Sequence, residues 1–189
     1  MNLLVLGPQG AGKGTQAARI SAEHDIPHIS TGDMFRAAIA AGTPLGRQVK
    51  PILESGQLVP DEVTISLIRE RLAEPDAADG FVLDGFPRNL AQADELDAML
   101  AEIGRDLDAI LYFQVPDELG ARRALERARI EGRTDDTPEV IAARLDVYHR
   151  ETEPIVEHYR TTGKLVPLRG ERSIDEVWRD ISDALQVLA

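Results

Sequence analysis

A chain of 189 residues, 43% of them hydrophobic, is long enough to bury a real core and fits one α/β domain with small inserts. It has no cysteine, which excludes disulfides and thiolate metal sites and is compatible with a reducing, cytoplasmic location. A formal net charge of −12 argues against nucleic acid as a partner, and no apolar run approaches the roughly 20 residues of a membrane span.

Residues 2–6 are apolar and read as a first, buried strand rather than a leader peptide. Gly7-Pro8-Gln9-Gly10-Ala11-Gly12-Lys13-Gly14-Thr15 follows directly, and a helical pattern spans 13–24. Strand, glycine-rich turn and helix in this order form a phosphate site: glycines free the backbone, successive N–H groups face an anion at the helix N-terminus, and a lysine reaches the outer phosphates. The match to G-x-x-x-x-G-K-[ST] is incomplete, because Gly14 stands where a Mg²⁺-binding hydroxyl is expected and Thr15 comes one residue later.

Further strands are predicted at 28–30, 81–84, 109–114 and 164–168, and helices at 31–41, 44–55, 61–72, 90–103, 117–131, 138–162 and 174–187. Asp33 is read as a helix N-cap, Ser173 with Glu176 as a capping box, and Gly163 as a helix C′ residue. Trp178 is assigned to packing, and the four histidines have no ligand spacing. Alternating β and α predicts a three-layer α/β/α P-loop fold on a five-stranded parallel sheet, with phosphate bound beyond the strands' carboxyl ends. Two places break the alternation. Residues 30–59 hold two helices without a strand, an insert, and 130–137 is a short polar flap. The core is then 1–29, 60–129 and 138–189. Arginine is uneven: 122–133 contains five arginines and two glutamates, whereas 94–108 contains six acids and one arginine. In an acidic chain such a concentration points to an anionic ligand.

The second half of the site lies in longer strings. Ser30-Thr31-Gly32-Asp33-Met34-Phe35-Arg36 follows the second strand, Gly56-Gln57-Leu58-Val59-Pro60-Asp61-Glu62 closes the insert, and Phe81 to Arg88 reads FVLDGFPR. Gln92, Arg123, Arg127, the string Gly132-Arg133-Thr134-Asp135-Asp136 and Arg144 come next. In this order, from end to end, the chain resembles the adenylate kinases of the nucleoside monophosphate kinase family, in which the loop reads GKGT.

The resemblance implies reversible, Mg²⁺-dependent transfer of a phosphoryl group from ATP to AMP, giving two ADP and serving purine nucleotide homeostasis. ATP would lie along Gly10, Ala11, Gly12, Lys13, Gly14 and Thr15, with its adenine near Arg127 and the backbone of Arg172. AMP would contact Thr31, Arg36, the backbone of Gln57, Leu58 and Val59, then Gly85, Phe86, Pro87, Arg88 and Gln92. Arg133 and Arg144 would reach phosphates across the cleft and Arg123 would support them. Asp84 would hold Mg²⁺ through water, and Asp135 and Asp136 would tie the closed flap. With a flap of about eight residues and no cysteine, the chain resembles the short form, for which zinc is not expected. The resemblance also implies a monomer and a cis Phe86–Pro87 bond.

The chemistry fits these residue types. The attacking oxygen of a monophosphate is already anionic, so no general base is required; the obstacle is repulsion between phosphates carrying about 1.5 to 2 negative charges each. Arginine's planar fork grips two oxygens at once, and electrostatics with positioning supply most of the catalysis. Thr31 and the carboxamide of Gln92 would select adenine over pyrimidines. Insert and flap would close over the cleft, standing apart from it otherwise. A nucleotide-driven switch needs no second mononucleotide pocket, and a kinase of another small metabolite would keep the fold with a different acceptor.

Overall fold

The computed structural model describes residues 1–187; positions 188 and 189, which the sequence reading placed in the core segment, lie outside them. Five strands, β1 (Asn2–Leu6), β2 (His28–Ser30), β3 (Phe81–Asp84), β4 (Ala109–Gln114) and β5 (Leu165–Arg169), form one parallel sheet in the order β2-β3-β1-β4-β5. The expected fold class is therefore the observed one. β1 lies in the middle, and the chain leaves it first toward β2 and β3 and later toward β4 and β5. The crevice at this reversal is where open α/β sheets bind ligands.

Strand residues alternate between the two faces, as a period of two requires. Leu4, Leu6, Phe81, Leu83 and Ile110 pack on one side with α4 (Asp61–Leu72), α5 (Leu90–Glu102) and α8 (Pro154–Arg160). Leu3, Val5, Val82, Leu111 and Phe113 face α1 (Lys13–His24) and α9 (Ile174–Gln186) on the other. Each fully buried Leu or Phe contributes about 1.5–3 kcal/mol of transfer free energy, so the ends of these strands rest on a stiff base. Trp178 is half-buried against the second layer, with the Arg19 guanidinium 4.5 Å above its ring.

Between β2 and α4, α2 (Thr31–Ala40) and α3 (Pro44–Glu54) pack on each other around a small core of Phe35, Val49 and Val59. α6 (Asp117–Glu131) follows β4 and ends at Gly132 in the left-handed conformation (φ 65°); residues 133–137 then lead into α7 (Pro138–Val147).

Three local readings need correction. The single helix expected over 138–162 is interrupted: α7 passes into a π-helical turn at Tyr148–Thr152 before α8 begins at Pro154. Pro154 has no N–H to continue the ladder, and Glu153 N–H reaches back five residues to the Tyr148 carbonyl (2.8 Å). Asp33 does not cap α2. Ser30 does, its Oγ accepting from Asp33 N–H (3.3 Å), while the Asp33 carboxylate accepts from Arg36 (2.5 Å). Gly163 has φ 73° but lies three residues past Arg160, where α8 ends, after the cap at Thr161, so it is one position beyond C′. The Ser173–Glu176 capping box is formed as expected.

Candidate active site

Four strands deliver residues to one cleft of about 880 Å³ at the sheet's carboxyl ends, and the turn after β5 adds Gly170. After β1, the loop from Gly7 to Gly12 wraps the start of α1, with Gly10 and Gly12 at φ 77° and 95°. Gly10 has a second reason to be glycine: a Cβ there would stand 2.0 Å from the carbonyl oxygen of Gly120 in α6. Lys13 Nζ donates to the loop carbonyls of Gly7 (2.8 Å) and Pro8 (2.9 Å). Burial lowers its pKa to about 8; Asp84 opposes that shift, and Arg88 and Arg127 reinforce it. An anion brought beside Nζ would favour its charged form and offset the cost of burial.

The ends of β2 and β3 are tied through one carbonyl. Gly85 O accepts from Thr31 Oγ1 (2.8 Å) and from Arg88 Nε (2.7 Å). The Phe86–Pro87 bond between them is cis. Arg88 lines the cleft, where burial and its neighbours Arg144 and Arg36 lower its pKa against the pull of Asp84. Gln57, Leu58, Gly85 and Pro87 line the same cleft, but Thr31, Val59, Phe86 and Gln92 do not. Gln92 is 1% exposed and has both ends engaged, Oε1 accepting from Arg88 N–H and Nε2 donating to Asp61, each at 2.8 Å.

The flap is organised around one carboxylate. Asp136, fully buried, accepts from Gln9 Nε2 (2.7 Å), from Arg127 (2.6 Å) and from Arg144, with Arg133 at 4.0 Å. Asp135 accepts from Arg144 (3.0 Å) and pairs with Arg36 of the insert at 3.7 Å. Burial would raise the Asp135 carboxyl, but the hydrogen bond and charge of Arg144 and the charge of Arg36 hold it below the ordinary range. Arg144 also donates to Leu53 O at 3.3 Å. Insert and flap thus meet over the cleft instead of standing apart, because Asp135 of the flap supplies counter-charge to Arg36 of the insert.

Arg123 and Arg127, expected respectively to support the phosphate arginines and to lie near the adenine, take different partners. Arg123 donates to Gly170 O (2.6 Å) and Glu171 O (3.3 Å), in the turn after β5, whereas Arg127 joins the Asp136 cluster and lies close enough to perturb Lys13. Arg172 pairs with Asp180 (2.6 Å) and Glu176 (3.6 Å) on α9, so its backbone is what it has to offer the same turn.

Asp84 closes β3, and a Cβ at Gly14 would lie 3.5 Å from its Oδ2. Burial disfavours its charge, yet the His28 hydrogen bond (3.4 Å) with the charges of Lys13, His28 and Arg88 keeps it below the ordinary carboxylate range. Among the described residues no three His, Cys, Asp or Glu side chains gather as a metal cage. One ionised carboxylate beside an open glycine suits Mg²⁺, which keeps water ligands and takes phosphate oxygens.

Several residues that line the cleft or brace its residues were not singled out from sequence. Gly120 was marked only by a glycine inside a helical pattern, a cost of about 1 kcal/mol that asks for a packing reason. His28 left no local signal, nor did Asp61, which holds Gln92. Thr152 Oγ1 donates to Arg88 O (2.6 Å) from the π turn, which Pro154 could have announced.

Comparison with known proteins agrees with this geometry. The family model described as adenylate kinase matches residues 5–164. An adenylate kinase of Methylobacterium nodulans is 54% identical over 194 aligned positions, covering 100% of this chain and 96% of its own length. Those of Xanthomonas campestris pv. campestris (strain B100; 49% identity, 98% and 99% coverage) and Stenotrophomonas maltophilia (47%, 98% and 100%) are similar along their whole lengths. With a phosphate loop, a gathering of arginines at the sheet's carboxyl edge and end-to-end similarity to these enzymes, the chain belongs to the adenylate kinase family of nucleoside monophosphate kinases.

Proposed function

We propose that the protein transfers the terminal phosphoryl group of ATP to AMP between the two ends of this cleft, and that the residues assigned above divide the work as follows. The donor phosphates lie along Gly10 to Thr15 at the N-terminus of α1, where N–H groups and Lys13 face them. Arg127 acts at the phosphate end and Arg123 at the base end beside Gly170 and Arg172, a division supported by their hydrogen bonds. Arg36 and Arg88 take the acceptor phosphate; Arg133 and Arg144 neutralise charge on the group in transit. Mg²⁺ accompanying ATP would be held by Asp84 through water and would cancel part of the phosphate charge.

The acceptor is already nucleophilic, so these groups act by orienting two anions in line and lowering their repulsion. Asp135 and Asp136 hold arginines in position and yield them to phosphate oxygens. Residues 30–59 and 130–137 act as insert and flap on a core of the remaining segments, and their closure keeps water from competing as acceptor. Thr31 and Gln92 read the acceptor's adenine; for Gln92 this means that nucleotide entry exchanges one of its present partners for the base. We place the protein in the cytoplasm as a monomer, in keeping with a chain in which no helix among the described residues is long and apolar enough to cross a membrane.

The observation that carries the reading is the convergence of Lys13, Arg36, Arg88, Arg123, Arg127, Arg133 and Arg144 on one cleft. Supplying only ADP and Mg²⁺ tests it: ATP and AMP form in equal amounts. Folded protein that produces neither, or produces AMP and inorganic phosphate, overturns it.

A further inference from the structure

Gln9 has no task in the scheme above, yet it is the only side chain of the phosphate loop bonded to the flap among the described residues. Its Nε2 donates to Asp136 Oδ1 at 2.7 Å across 127 residues of sequence. The same carboxylate holds Arg127 and Arg144. Two buried polar atoms in this cluster have no hydrogen-bond partner: Gln9 Oε1 and Arg127 Nε. They are complementary, an amide oxygen that accepts and a guanidinium N–H that donates. Buried polar atoms are almost always paired, so two orphans flanking one carboxylate mark a cluster with a second arrangement available.

We propose that Gln9 is a positioning residue that couples the flap to the phosphate loop. Its Nε2 fixes Asp136, and its Oε1 accepts the Arg127 Nε–H when phosphate draws the terminal nitrogens of Arg127 away from that carboxylate. In the first arrangement Asp136 satisfies Arg127. In the second, phosphate and Gln9 do so together, and Asp136 stays anchored to the loop through Nε2. The flap is thereby registered on the loop in both. The proposal rests on the reading that Arg127 serves the phosphates.

Three variants test it, each checked for folding by circular dichroism and its thermal midpoint. Gln9→Met keeps length and removes both hydrogen bonds. It lowers kcat about tenfold, leaves KM for AMP within about twofold, and speeds amide exchange of residues 130–137 in the nucleotide-bound enzyme. Gln9→Glu sets a carboxylate against Asp136, amid Arg127, Arg133 and Arg144. As a carboxylate it cannot donate; once protonated it can, so its activity relative to the parent rises as pH falls from 8 to 5.5. In an Asp136→Leu background, which leaves Nε2 without its acceptor, Gln9→Met costs clearly less than its tenfold in the parent, because only the Arg127 contact is left to lose.

Parental kcat and exchange in Gln9→Met, a Gln9→Glu pH profile parallel to the parent's, or full additivity with Asp136→Leu each overturn the proposal. Arg127→Met separates its failure from failure of the underlying reading. If that variant keeps parental KM for ATP and parental kcat, Arg127 does not serve the phosphates at all.

Discussion

The phosphate loop and the flap face each other across one cleft and are built in opposite ways. The loop is made from backbone. Its geometry comes from glycines at positive φ, from a contact with Gly120 that leaves no room for a Cβ, and from a buried strand beneath it. The flap is made from charge. One buried carboxylate gathers side chains from the loop, α6 and α7, and its neighbour Asp135 reaches the insert. A rigid backbone cradle can be specified by nine consecutive residues and needs no reorganisation when phosphate arrives. A charged clamp must be assembled from distant segments, and it can exchange its internal anions for those of a substrate.

The sharpest test of the cradle is Lys13→Met. Turnover falls by about a thousandfold or more, in line with the loss of a preorganised charge at the reacting phosphates, while the circular dichroism spectrum stays that of the parent. Near-normal turnover would remove Lys13 from its role. On the clamp side, Arg144→Met costs about a hundredfold in kcat and loosens 130–137 in hydrogen exchange without exposing β1. Equal loss of protection in the loop and the flap would mean that the two halves are one unit and the contrast is false.

Acceptor choice gives a smaller effect. Gln92→Ala shifts the ratio of kcat/KM for AMP over CMP by about tenfold, the consequence of losing one buried hydrogen-bond partner at about 1–3 kcal/mol. An unchanged ratio would leave Gln92 as a brace between Arg88 and Asp61.

The pH dependence should be the mildest effect. With its pKa lowered to about 8, Lys13 loses its proton as pH rises through that value, and kcat/KM of the free enzyme falls on that limb. The stability effect has the opposite sense. The unfolded lysine still binds its proton up to about 10.4, so between about 8 and that pH the unfolded chain holds more protons and Lys13 makes folding stability rise with pH. Both slopes disappear in Lys13→Met. A kcat/KM limb that survives in Lys13→Arg, whose side chain does not titrate there, would assign it to another group.

How much could be read in advance followed the same division. The strands β1 to β4, the start of every helix except α8, and the phosphate loop were legible because each depends on contiguous residues: apolar runs of strand length, a cap such as Ser173, glycines followed by lysine. The one long helix that failed did so at Pro154, a local signal outweighed by the helical pattern around it. The family's strings named Arg88, Arg133 and Arg144 as site residues, and all three line the cleft. They put Arg127 near the adenine and Arg123 in support of the phosphate arginines, but residues four apart share a helix face, and only the positions of Asp136 and the β5 turn give the two their different partners.

The sequence by itself determined the fold class, the phosphate cradle and the inventory of charged groups, since periodicity, glycine placement and residue chemistry act within a few positions along the chain. Tertiary structure alone decided which charges meet. Gln9 reaches Asp136, Thr152 reaches Arg88, and Asp61 holds Gln92 from 31 residues away. Such partners are chosen by distance in space, and Coulomb attraction and hydrogen bonding reward only groups that the packed sheet and helices have already brought within about 3 Å.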